Sequence, residues 1–130
     1  MSQRAIFPKG VTADDVPLKL SPAVMSNGHL FVTGMTGSAT DGTMPQDPAT
    51  QFRSAFDKIA ACLAGADLDF GHVVEMTSYH IKIADHFDTF SAVHAAYVKA
   101  PYPAWTAVEV AGLRRPGALV EIRVIARAPS

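Results

Sequence analysis

Glu121 is the side chain of this sequence best placed to do chemistry. It lies in Leu119-Val120-Glu121-Ile122-Arg123-Val124-Ile125, where a carboxylate among β-branched neighbours must reach water, a cation or a ligand. Strand alternation puts it beside Arg123 and away from Val120, Ile122 and Val124. A partly exposed strand salt bridge and a site carboxylate that activates water meet that requirement equally. The second informative residue is Trp105, in Pro101-Tyr102-Pro103-Ala104-Trp105-Thr106-Ala107-Val108-Glu109-Val110. An indole directly after a proline-punctuated loop, at the start of a strand, is better placed for a pocket wall than for a buried centre. It offers one N–H donor and a broad apolar face.

Other reactive side chains carry weaker patterns. The five histidines, His29, His72, His80, His86 and His94, lack the one-turn pairing of a metal site, so no metal is expected. His94 falls on an apolar helical stripe, which suits a core or interface role. Gly34-Met35-Thr36-Gly37-Ser38 follows a strand but lacks the spacing and the Lys-Ser/Thr ending of a phosphate loop, and no helix begins there. Its glycines fit a turn and a backbone approach to a ligand. There is no Gly-x-Ser-x-Gly elbow, and helical spacing turns Cys62 toward packing.

Composition narrows the partners. The chain has 130 residues, 48% of them apolar and 18% charged, with a formal net charge of −1. That is one domain over residues 1–130, with apolar surface left for self-association. The charge gives no general reason for a nucleic-acid partner, and Arg114, Arg115, Arg123 and Arg127 read as a solvated face. The single cysteine cannot form an internal disulfide, and Met1-Ser2-Gln3-Arg4 is not followed by a signal-type apolar segment, so a cytoplasmic location is expected. No window has the ~18 uninterrupted apolar residues of a membrane span.

The elements that position these residues follow from periodicity. Asn27-Gly28 between Ala23-Val24-Met25 and Leu30-Phe31-Val32-Thr33 marks a tight hairpin, with Ala5-Ile6-Phe7 as a possible edge strand. Gly34 to Pro48 reads as an exposed loop. Phe52, Ala55, Phe56, Ile59, Ala60 and Leu63 recur at helical spacing, with Pro48 suited to the first turn and Gly65 to the stop. A strand is expected over Val73 to Ile83, with Val73, Glu75, Thr77, Tyr79, Ile81 and Ile83 on one side. Asp85 can cap a helix from His86 to about Lys99, and strands at Ala104 to Val110 and Leu119 to Arg127 complete the order ββ(β)αβαββ. The expected fold class is α+β, a mixed sheet of five or six strands with both helices on one face. The other face needs cover, which suits cyclic assembly.

On Val32-Thr33-Gly34, the helix through Phe56 and Leu63, Glu75-Met76-Thr77-Ser78, Pro103-Ala104-x-Thr106-Ala107-Val108-Glu109-Val110 and Ala118-Leu119-Val120-Glu121-Ile122-x-Val124-Ile125-Ala126, the chain resembles the RidA (YjgF) family, also labelled L-PSP endoribonucleases. The resemblance spans about residues 18–128 and implies a chorismate-mutase-like fold, a homotrimer with a central β-barrel, and three clefts between subunits. Deaminating members hydrolyse small-molecule enamines or imines, such as 2-aminoacrylate, to 2-oxo acids and ammonia without metal or organic cofactor. They hold the substrate carboxylate with an arginine at the position of Trp105, a task of the guanidinium fork that a neutral ring cannot perform. Leu20 stands where a tyrosine is usual, Ser91 where an asparagine often lies and Ala107 where a cysteine is frequent, while Glu121, Gly34 and the Thr33 hydroxyl are kept. The pattern resembles the arginine-lacking, YjgH-like branch. It implies a cleft with Glu121 as catalytic carboxylate and Trp105, Thr33, Gly34, Leu20, Ser91, Thr106 and Ala107 around the ligand. A noncatalytic metabolite-binding or interaction trimer is the alternative, and the older endoribonuclease label fits the weak positive charge poorly.

Overall fold

The computed structural model describes residues 3–130. In chain order the strands and α-helices are β1 (Arg4–Ile6), β2 (Ala23–Ser26), β3 (His29–Met35), α1 (Pro48–Gly65), β4 (Val73–His80), α2 (Ile83–Tyr97), β5 (Ala104–Glu109) and β6 (Val120–Arg127). They build a six-stranded mixed sheet ordered β1-β2-β3-β6-β4-β5, in which β4 and β5 pair in parallel, with α2 as the crossover between them, and the other described pairs are antiparallel.

The Asn27-Gly28 turn joins β2 to β3 with both residues at positive φ, 50° and 80°, as a two-residue hairpin requires. Asp47 caps α1 by accepting from the Thr50 N–H at 3.0 Å, and Pro48 opens the helix. Phe52, Phe56, Ile59 and Leu63 of α1 are fully buried. They meet Leu30 and Val32 of β3, Met76 of β4, Val120, Ile122 and Val124 of β6, and Phe90 of α2 in one core. Phe52 and Phe90 pack edge to face at 5.3 Å, and Phe56 stacks on Tyr97 at 4.9 Å, each such pair adding about 1 kcal/mol beyond area burial. Both helices lie on this face of the sheet, as expected.

Three local expectations are corrected, while α1 stops at Gly65 as expected. β3 continues through Gly34 to Met35, carried past the expected loop start by a register shift between Val32 and Met35, a bulge in which Thr33 and Gly34 oppose one residue of β6. A second shift between Val73 and Glu75 puts Val73 on the buried side with Met76, Ser78 and His80, breaking the simple alternation. β4 ends at His80 and α2 begins at Ile83, because Lys82 turns left-handed at φ 51° and the Glu109 carboxylate of β5 accepts from the Ile83 N–H at 3.0 Å; Asp85 lies within the first turn. At the end of α1 the left-handed residue is Asp67, φ 59°. Gly65 has a different reason: a Cβ there would overlap the Phe7 carbonyl.

Candidate functional site

Glu121 projects from β6 on the face opposite the helices, since its register partner Tyr79 alternates with buried Ser78 and His80. The β3 bulge brings Gly34 against it so closely that a Cβ on Gly34 would overlap Glu121 Oε2. The carboxylate lines a cavity of ≈ 210 Å³. Its walls come from the 16–22 segment, the end of β3, Lys58 of α1 and the loop before β6.

Hydrogen bonds fix these walls. The Thr33 hydroxyl donates to the Ser21 carbonyl at 2.7 Å, and the Thr33 N–H donates to the Pro22 carbonyl at 2.9 Å, fastening the segment that carries Leu18 and Leu20. Buried Gln51 donates to the Pro45 and Gly117 carbonyls at 3.0 and 3.2 Å and accepts from the Leu119 N–H at 2.6 Å. One α1 side chain therefore ties the loop before α1 to the loop before β6. Lys58 donates to the buried Ser38 hydroxyl at 3.0 Å. Burial, followed by the nearby Arg115 charge, holds the Lys58 ammonium below its ordinary pKa.

The cavity brings together Leu20, Thr33, Gly34 and Glu121; Trp105, Ser91, Thr106 and Ala107 are elsewhere. Trp105 and Ala107 pair with Met76 and Ser78 and so face the helices. The Trp105 ring is half-buried, stacked on His94 at 4.3 Å and on Phe87 at 5.6 Å, and its N–H donates to Ser78 Oγ at 2.9 Å. Ser78 Oγ also meets His80 Nε2 at 2.8 Å. The half-exposed indole packs one side against the core of its own chain. Thr106 pairs with Thr77 on the same face as Glu121 but is exposed at the edge strand, and Ser91 is half-buried on α2.

The remaining candidates behave as packing groups. Cys62 is fully buried, and burial pushes its thiol up to about 11, so it stays protonated and unreactive at neutral pH. His94 stacks on Trp105, and burial lowers its pKa and that of His80. Lys58, Arg114, Arg115 and Gln51 enter the cavity or its frame without having been singled out for a site in the sequence. Their one signal, adjacent arginines in a turn, reads as a solvated face until the fold brings Lys58 beside them.

Residues 15–128 match the family model described as Endoribonuclease L-PSP. The chain belongs to this family, which includes the YjgF and RidA proteins. Within the family it is 38% identical over 130 residues to the RutC family protein YjgH of Escherichia coli strain K12, covering 99% of this chain and 98% of that one. A solved structure of a YjgH protein is 37% identical with a TM-score of 0.89, covering 100% of this chain and 99% of the other. The 2-iminobutanoate/2-iminopropanoate deaminase of Bos taurus is 32% identical over 108 residues, covering 82% of this chain and 77% of that one. These likenesses extend along nearly the whole YjgF/RidA fold, and no helix among the described residues is long and apolar enough to cross a membrane.

Proposed function

We propose that this chain is a hydrolase of the imine and enamine deaminase type, acting on a small molecule in clefts between the subunits of a homotrimer. The observation that carries this reading is the Glu121 carboxylate lodged against Gly34 in a cavity bounded by Leu20 and Thr33. Similarity to proteins named for imine deamination supports the reaction class.

In the proposed reaction Glu121 accepts a proton from water as the water oxygen bonds to the imine carbon. The same carboxyl then returns that proton to nitrogen to give the carbinolamine, and in a second transfer takes the hydroxyl proton and delivers it to nitrogen as the carbonyl forms and the C–N bond breaks, releasing ammonia. The open backbone at Gly34 lets the substrate approach the carboxylate closely. With Trp105 replacing the family arginine and its N–H engaged by Ser78, position 105 offers no fork for a carboxylate, so substrate choice differs from that of arginine-bearing members. Losing such a partner costs on the order of 2–5 kcal/mol in comparable buried pairs.

Trimerisation is proposed on independent grounds. Phe31 and Val108 are 40% and 37% exposed on the sheet face away from the helices, and burying that face between copies removes apolar surface from water. It is also the arrangement in which Trp105 of one subunit and Glu121 of another could border one cleft, since within a chain they lie on opposite faces. The test is release of ammonia and 2-oxo acid from a panel of freshly generated imines with small, apolar and aromatic side chains. A ligand that stabilises the protein and is recovered unchanged, with no ammonia from any imine, would identify a noncatalytic binder instead.

A further inference from the structure

The cavity that holds Glu121 carries three cationic side chains, Lys58, Arg114 and Arg115, against that one carboxylate. This is a local excess of positive charge in a chain whose formal net charge is −1. Among the described residues the one ion pair is His72 with Asp69, so these three cations have no carboxylate within salt-bridge range. The nearby Asp57 carboxylate accepts from the Tyr97 hydroxyl at 2.7 Å. Lys58 and Arg115 are half-buried, and their charges act on one another.

Ser38 completes the arrangement. Its buried hydroxyl accepts from Lys58 Nζ at 3.0 Å, and because an ammonium cannot accept, that bond does not use the Ser38 O–H. The loop bearing Arg115 is held through Gln51 to Gly117 and Leu119, so the guanidinium sits on a braced wall. Two neighbouring cations and a hydroxyl donor around an open cavity form a receptor for an anion, which would relieve the repulsion between them.

We propose that Lys58 and Arg115, with the Ser38 hydroxyl, form the subsite that binds the carboxylate of an anionic substrate, a role that position 105 cannot fill in this chain. The inference rests on the hydrolase reading for its choice of substrate, but binding of the anion is measurable without turnover. The stable 2-oxo acid 2-oxobutanoate serves as the probe, titrated calorimetrically into the full chain at low ionic strength. The expected result is saturable binding that weakens at least tenfold in Arg115→Gln and in Lys58→Met, persists in the exposed-site control Arg127→Gln, and falls as salt is raised. Binding of neutral 2-butanone should be absent. Unchanged 2-oxobutanoate binding in both variants, or no saturable binding by the parent chain, would overturn the subsite. Binding that follows this pattern in a protein releasing no ammonia from any imine would instead overturn the hydrolase reading and leave the subsite standing.

Discussion

The Trp105 indole N–H donates to the Ser78 hydroxyl at 2.9 Å across the parallel β4–β5 pair, fixing a ring that the strand register already points toward the helices. Trp105 is therefore part of the joint between α2 and the sheet, held between Phe87 and His94. Trp105→Phe keeps a stacking ring and removes the donor, while Ser78 retains His80; a loss of about 1 kcal/mol is expected. Trp105→Ala also removes the half-buried ring and should cost about 2–3 kcal/mol. Urea unfolding of both variants measures the difference.

Two glycines near the cavity should respond differently to the same substitution. At Gly34 the added methyl meets the end of the flexible Glu121 side chain, whereas at Gly37 it meets the Gln51 carbonyl. Gly34→Ala is expected to displace the carboxylate, with less than about 1 kcal/mol of lost stability and a large loss of any ammonia-releasing activity. Gly37→Ala must move helix backbone and should lose more than about 2 kcal/mol. Thermal denaturation alongside activity separates the two effects.

Much of the framework was legible in the sequence because its signals are local. Asn27-Gly28 specifies its turn through the positive φ of both residues, and the apolar spacing from Phe52 to Leu63 specifies the buried side of α1. What escaped depends on partners far along the chain. The start of α2 is set by Glu109, 26 residues beyond Ile83. The Trp105 N–H is engaged by Ser78, 27 residues before it, and the loop before β6 is held by Gln51 reaching 68 residues to Leu119. The bulge at Thr33–Gly34 depends on the β6 register, which no local pattern encodes. Glu121, Gly34, Thr33 and Leu20 were legible as one group, whereas the convergence of Lys58 on Arg115 required the fold.

Acid should weaken the fold through two histidines. Burial lowers the pKa of His80 and His94 from 6.5, and His80 Nδ1 and His94 Nε2 are buried without a partner. Below pH 6.5 the unfolded chain therefore binds more protons than the folded one. Their neutral-form stabilisation is complete above that value and declines as pH falls beneath it. The melting temperature should drop between pH 7.5 and 5.5, and the slope should be shallower in His94→Phe.

The exposed sheet face provides a test of assembly. Val108 lies on the side opposite Trp105 in the edge strand β5, where a charge would be buried if copies associate. Sedimentation equilibrium should give three times the 13.8 kDa chain mass for the parent protein and a shift toward the single-chain mass for Val108→Glu. An unchanged mass in that variant would place the interface elsewhere.

The central claim is that Glu121 activates water for hydrolysis of a carbon–nitrogen double bond. The direct measurement is the initial rate of ammonia and 2-oxo acid release from freshly generated imines, comparing the parent chain with Glu121→Gln. The proposed function predicts acceleration over the uncatalysed reaction by the parent, with at least a hundredfold of it lost in the folded Gln variant, consistent with removal of a general base. Equal rates from the two proteins, or no acceleration by the parent with any imine of the panel, would contradict it.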